Sequence, residues 1–319
     1  MSMPGPDYCD LIRYLEAKKS IDDRALNQSV WQHMAERLRD LQESRSVAIL
    51  EVGCGIGTMI ERMLERGLLT RATYTAVDLQ PEYVAEAKTR LRRYAGKQGF
   101  ETKEAADGTF TLKRPGREIL LDLVVDDIFE IANRGPRDRL YDLIVAHAFL
   151  DLVDLDTALH KLLTLVRPGD LFYFTLNFDG VTIFEPQVDP ALDQQIEELY
   201  HQTMDLRQPG SGSSRMSRTG RRLLVSLTQA GLTVLRAGSS DWVIHPSAAG
   251  YSPDEAYFLH FIIDTIRDAL AGKPGLDQSS LGSWIAERHG QIQRGELVYI
   301  AHQVDVLAEA PQEQNSLDP

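Results

Sequence analysis

"ILEVGCGIGTMIERML", from Ile49 to Leu64, is the stretch on which the fold turns. An apolar run ends at Glu51 and Val52. Glycines then alternate at positions 53, 55 and 57, and an amphipathic run begins at Thr58. That order predicts a strand turning sharply into a helix. Glycine lets backbone turn tightly and approach a ligand with no Cβ in the way. The next helix start adds unpaired N–H groups and partial positive charge. Dinucleotide turns have the pattern G-x-G-x-x-G. Here Gly53 and Gly55 fit, but Thr58 holds the sixth position and the third glycine, Gly57, comes one place early. Glu51, an acid at the strand end, repels a pyrophosphate and suits a cation.

Working outward, "ATYTAVDL" reads as a second strand ending in Asp78. A helix follows over "QPEYVAEAKTRLRRYA" with Pro81 in its first turn. Arg114-Pro115-Gly116-Arg117 predicts a type II turn joining two strands, a hairpin feeding the third main strand "LDLVVDD". "YDLIVAHAF" is the fourth strand, "DTALHKLLTLVRPG" a helix closed by Pro-Gly, and "DLFYFTLNF" the fifth strand. Such alternation marks a doubly wound, mostly parallel α/β sheet. Before it, residues 7–44 read as helical, with Ser20, Asp22 and Asp23 suiting a helix start. After it come helices over 189–207, 221–231, 252–272 and 279–295, one strand over "LTVLRAGSSDWVI", and a final strand "ELVYIAHQVDVLA". The expected division is a helical cap over 1–45, a core over 46–180 with a hairpin insertion near 106–120, a substrate and lid region over 181–310, and a disordered tail over 311–319.

Composition narrows the function. The 319 residues are 43% hydrophobic, enough for a large core, and the net charge of −13 opposes a nucleic-acid groove. Two cysteines, Cys9 and Cys54, form neither a disulfide framework nor a zinc spacing and fit a reducing cytoplasm. The eight histidines are dispersed, so no metal is expected. The N-terminus lacks a signal-peptide pattern, and no apolar stretch approaches the ~20 residues of a membrane span.

Asp78 is placed to accept from both hydroxyls of a ribose. Leu79 can lie against a base. In "VVDDIF", Asp127 can accept from an adenine amino group while the Ile128 amide contacts the ring. The ligand so described has an adenosine half and no phosphate, which fits S-adenosylmethionine with its positive sulfonium and ammonium. "LEVGCGIG", "VDLQPEYVAEAK", "VVDDIFEI" and "YDLIVAHAFLDLVDLDTALHKLLTLVRPGDLFYF" together resemble a class I S-adenosylmethionine-dependent methyltransferase over residues 45–180. The resemblance implies a seven-stranded Rossmann-like sheet with an antiparallel last strand. It implies cofactor contacts at Glu51, Gly53, Gly55, Gly57, Asp78, Leu79, Asp127, Ile128 and the turn Ala146–His147. Cys54 is counted with them as a small packing side chain. Asp170 departs from the Gly-Gly that the family often carries after the proline of "RPG".

Methyl transfer needs in-line attack, exclusion of water and, for some acceptors, loss of a proton. His147 is a candidate base, or else it packs over the cofactor. Asp151 is a candidate catalytic or substrate contact, or a helix cap beside Asp154. Tyr14 and Trp31 on the N-terminal helices, Arg218 in the cluster with Arg215, Arg221 and Arg222, and Trp242, Tyr257 and His260 in an aromatic-rich lid segment are candidate substrate contacts. Each also has a structural reading, as core packing, a solvated charge run or a hydrogen-bonded histidine. The expected activity is methylation of a small molecule, without nucleic-acid or membrane partners and with a homodimer possible in principle. A non-catalytic S-adenosylmethionine sensor or partner subunit, and a nicotinamide-dependent oxidoreductase, are the other classes. The second is opposed by Thr58 and Glu51.

Overall fold

The structure, a computed structural model, describes residues 10–135, 140–206 and 216–312. Cys9, Arg215 and residues 313–319 of the expected tail lie outside the described residues.

Two helices open the chain, α1 (Leu11–Ala25) and α2 (Gln28–Ser44). The expected helix start at Ser20 is corrected, because Ser20, Asp22 and Asp23 lie inside α1. Asp22 and Asp23 bind the side chains of Lys18, Lys19 and Arg62, so neither serves as a cap. The break falls at Leu26, and Asn27 caps α2 by accepting from the Val30 amide at 3.1 Å. The expected alternation follows: β1 (Val47–Val52), α3 (Thr58–Glu65), β2 (Arg71–Asp78) and α4 (Pro81–Lys97). The hairpin is β4 (Phe110–Arg114) and β5 (Arg117–Val125), paired Arg114 to Arg117 across the Pro-Gly turn. A further short strand, β3 (Glu101–Glu104), pairs with β4. All four of its residues are exposed, so it carries no apolar alternation to read.

Next come α5 (Ile128–Arg134), β6 (Tyr141–His147), α6 (Leu155–Leu163) and β7 (Val166–Glu185). The Arg167-Pro168-Gly169 segment starts β7 and does not close α6, since the backbone there already pairs toward Ala310. The remainder is α7 (Pro190–Asp205), α8 (Thr219–Gln229), β8 (Thr233–Ser239), β9 (Trp242–Ile244), α9 (Pro253–Leu270), α10 (Gln278–Arg294) and β10 (Val298–Glu309). The strand expected over 232–244 is thus two strands. They part where the Ser240 amide donates to the Gln303 carbonyl at 2.9 Å.

The sheet has ten strands in the order β3-β4-β5-β2-β1-β6-β7-β10-β8, with β9 also paired to β10. β5, β2, β1, β6 and β7 run parallel, and β10 is antiparallel to both β7 and β8. The seven expected strands are in place, and β3, β4 and β9 extend them. One apolar layer packs α2, α3 and α4 on the sheet, and a second packs α5, α6 and α8 on the other face. A third core joins α1, α7, α9 and α10 to the long outer halves of β7 and β10. Strand order reverses between β1 and β6, and in such sheets a ligand crevice opens beyond the strand ends at that point.

Candidate functional site

A cavity of about 950 Å3 opens there. Its first half lies over the ends of β1, β2, β5 and β6. Gly53 has φ +65°, and a Cβ on it would stand 2.5 Å from the Phe149 ring. Only glycine satisfies both conditions. The Gly55 amide donates to Asp78 Oδ2 at 2.8 Å and the Gln80 amide to Oδ1 at 3.0 Å, which fixes the Asp78 carboxylate at the cavity wall. Glu51 is 1% exposed and accepts from the Tyr74 hydroxyl at 2.8 Å. Burial pushes its carboxyl up to about 8; the Tyr74 bond and the Arg62 charge oppose this, and the Asp78 charge adds to it. Asp127 caps α5 by accepting from the Phe129 amide at 2.8 Å. Leu79, Ile128 and Cys54 complete this wall. Burial raises the Cys54 thiol well above its ordinary value, which leaves it unreactive.

His147 ends β6 between the two halves. Its Nδ1 lies 2.8 Å from Thr175 Oγ1 and its Nε2 lies 3.1 Å from Asp22 Oδ2. Asp22 also accepts from Lys18 Nζ at 2.6 Å and from the Trp242 indole at 2.9 Å. Burial alone would raise the Asp22 carboxyl. The Lys18 charge and the His147 bond outweigh it and hold the group well below the usual range. An ionised Asp22 accepts a hydrogen bond from Nε2–H, so Nδ1 accepts from the Thr175 hydroxyl. Burial then drives the imidazole pKa down to about 4, although Asp22 opposes this. Both ring nitrogens of His147 are thus engaged, which disfavours its use as the base. Beside it, Ala148 (φ 51°) and Leu176 (φ 54°) hold left-handed backbone. The Ala148 amide donates to the Thr175 carbonyl at 2.9 Å, and the Leu176 amide to Asp305 Oδ1 at 2.8 Å. Such strained residues concentrate at binding sites.

The second half runs beneath α1, α7 and α9. Tyr14, Phe178, Tyr200, Trp242, Phe261 and Tyr299 wall it. Tyr14 stacks on Phe261 with ring centroids 4.0 Å apart. Burial raises the phenols of Tyr14 and Tyr299, so both stay neutral. Asp151 lines this half from the short helical turn Leu150–Leu152, while the α6 cap falls to Asp154. Lys18, bound to Asp22, is the only lysine or arginine on the cavity wall among the described residues.

Other expected site residues stand elsewhere. Gly57, with φ +76°, presses against Ala87 of α4, where a Cβ would meet another at 3.2 Å. It serves helix packing. Ala146 is buried in the sheet, and Trp31 is buried beneath α2 against Tyr173 with Arg66 over its ring. Arg218 is exposed at the start of α8. Arg221 is tied to Asp179 and Arg222 lies 3.9 Å from Asp156, so the basic cluster disperses into separate pairs. Tyr257 faces away from the cavity, its hydroxyl donating to the Asp10 carbonyl at 3.2 Å. His260 pairs with His289 at 2.7 Å between α9 and α10. Sequence reasoning missed Lys18, Asp22 and Gln303. An i,i+4 Lys–Asp pair reads as a solvated helix face, and only its burial reveals otherwise.

The residues fit an adenosyl sulfonium cofactor. They offer carboxylates for positive charge and hydroxyls; among the described residues no arginine lines the cavity, and its one lysine, Lys18, is bound to Asp22. Comparison with known proteins agrees. Residues 50–171 match the family model described as a methyltransferase domain. A reducing polyketide synthase, Preu2, from Preussia isomera is 31% identical over 125 residues, covering 39% of this chain and 4% of the relative. A polyketide synthase-nonribosomal peptide synthetase, ACE1, from Pyricularia oryzae is 29% identical over 122 residues, covering 38% and 2%. The chain thus spans a small fraction of the length of these relatives. Among solved structures, an S-adenosylmethionine-dependent methyltransferase from Thiobacillus denitrificans, in complex with S-adenosyl-L-homocysteine, is 13% identical at a TM-score of 0.45, covering 97% and 100% of the two chains. Over residues 50–171 the chain is thus similar to methyltransferase domains. No metal-holding cluster of His, Cys, Asp and Glu occurs among the described residues, and no described helix is long and apolar enough to cross a membrane.

The imidazole of His147 is expected to stay neutral, with its proton on Nε2, down to about pH 4. Nitrogen-15 NMR of labelled histidine reads this directly. A depressed folded pKa means the stability it contributes is present above the ordinary histidine value of ~6.5 and is lost as pH falls toward 4. Titration of this ring near 6.5 would contradict the assignment.

Proposed function

We propose that the chain is an S-adenosylmethionine-dependent methyltransferase acting on a small-molecule acceptor, with the donor over the glycine turn and the acceptor beneath α1, α7 and α9. The observation carrying this is the division of one cavity into a half bearing Glu51, Asp78 and Asp127 and a half with aromatic walls. Bound S-adenosylmethionine supplies a methyl group already activated by its sulfonium. The chain's task is to hold, align and keep out water.

In this reading Glu51 faces the donor's positive end and Asp78 accepts from its ribose hydroxyls. Leu79 and Ile128 lie against the base, and Asp127 accepts from its amino group. Gly53 and Gly55 bring backbone close enough for contact. His147 is a positioning residue, holding α1 through Asp22. Asp151 is the catalytic candidate, a carboxylate on the acceptor wall able to take a proton from an acidic acceptor group. The aromatic walls favour an apolar or aromatic acceptor.

Asp78→Ala is expected to weaken donor binding at least tenfold, on the scale of losing two hydrogen bonds of about 1 kcal/mol each. Calorimetry showing unchanged affinity would remove the assignment. Glu51, raised to about 8, is protonated at neutral pH in the ligand-free protein. Binding of a cation beside it favours ionisation and expels a proton. Donor affinity therefore climbs with pH and levels off above about 8, a dependence that Glu51→Gln should flatten. Asp151→Asn should lower kcat by about 100-fold or more with donor affinity intact. Radiolabel transfer from the donor at wild-type rates in that variant would exclude it as proton acceptor.

A further inference from the structure

Gln303 lies on β10, on the same face as Tyr299 and Ala301, and all three line the cavity. Its backbone is fully engaged. The carbonyl accepts from the Ser240 amide at 2.9 Å, and its own amide donates to Asp241 Oδ1 at 3.3 Å. The residue is 1% exposed, yet its side-chain oxygen is buried without a hydrogen-bond partner. A primary amide offers two donors and an acceptor, and native structures rarely leave such a group buried and unmet. Within a ligand cavity, the missing partner is one the ligand brings.

The surroundings say what kind of partner. Gln303 pairs in register with Phe178 of β7, and Ala301 beside it pairs with Trp242 of β9. Both aromatic residues line the same half of the cavity. The charged groups near it are already matched, Asp241 with His302 and Ser239, and Lys18 with Asp22. An ionised ligand group among these rings would lose its water without a counter-charge, which is costly. A flat, uncharged group between the rings, with a donor and an acceptor side by side, meets the amide with two hydrogen bonds. β10 is also two strands from β6, roughly 10 Å from the methyl-transfer end. Gln303 therefore reads the far end of the acceptor and not the reacting atom.

We propose that Gln303 selects the acceptor, pairing its carboxamide with the N–H/C=O edge of a lactam or primary amide carried by an aromatic molecule. This rests on the reading of the cavity as a joint donor and acceptor site. The test titrates the protein, loaded with S-adenosyl-L-homocysteine, with quinolin-2-one and with 2-methoxyquinoline, which keeps the rings and lacks the N–H. The wild type should bind quinolin-2-one at least about tenfold more tightly, and Gln303→Leu should reduce the ratio to near one while binding S-adenosyl-L-homocysteine as before. Equal binding of the two probes by the loaded wild type, or binding of neither, overturns the proposal, and so does a ratio that survives in Gln303→Leu. Should that variant not fold, the wild-type ratio alone decides. Failure to load S-adenosyl-L-homocysteine at all is a separate result, which overturns the joint-site reading and the proposal with it.

Discussion

Under α1, the carboxylate of Asp22 gathers three groups: Lys18 on its own helix and, from distant parts of the chain, His147 at the end of β6 and the Trp242 indole at the start of β9. Other ion pairs tie the helix to α3 and α9, and Asp22 ties it to the ends of β6 and β9. With that carboxylate, the helix takes one orientation, because a buried carboxylate and ammonium must both be matched or each is heavily penalised. The cavity's roof, its central histidine and one of its aromatic walls are therefore set by one small group. Removing only the carboxylate would strand the Lys18 ammonium in a dry site, so the three contacts stand or fall together.

The two halves of the cavity differ in how they handle charge. The glycine-turn half keeps carboxylates at the wall with backbone amides on Asp78 and a phenol on Glu51. It is a carboxyl-lined wall, suited to a positive ligand. The other half matches its buried lysine internally and presents rings, phenols and an amide. Such a division lets one cavity accept a cation and a largely neutral molecule side by side without exchanging their places.

Sequence made the parallel core legible because glycine spacing and buried strand runs are local signals. The turn at Gly53, the hairpin at Pro115-Gly116 and the antiparallel last strand all stand where their residues imply. What stayed hidden was tertiary. Asp22 looks like a helix-start acid until its three partners are seen. Trp31 looks like a substrate contact, yet its ring fills the core against Tyr173. His147 looks like a base until Thr175 and Asp22 occupy both nitrogens. Gln303 sits in an ordinary alternating strand, and nothing in "ELVYIAHQVDVLA" distinguishes an inward amide with a neighbour from one without. β3 was missed for the opposite reason, since an exposed edge strand has no buried face to imprint on the pattern.

The position of β10 has a consequence for how the molecule is made. It is the final strand among the described residues, yet it lies inside the sheet, between β7 and β8. It brings Tyr299, Ala301 and Gln303 to the cavity, and through Asp305 it holds the Asn27 amide at the α1–α2 junction and the Leu176 amide. A growing polypeptide emerging from the ribosome can pair the first five parallel strands early. It gains neither a finished acceptor chamber nor a seated N-terminal roof until this closing strand is inserted. Pairing across so much intervening chain is slow, and until it occurs the edge of β7 stays open to other strands. The cavity wall bearing Tyr299, Ala301 and Gln303 is thus the last to arrive among the described strands.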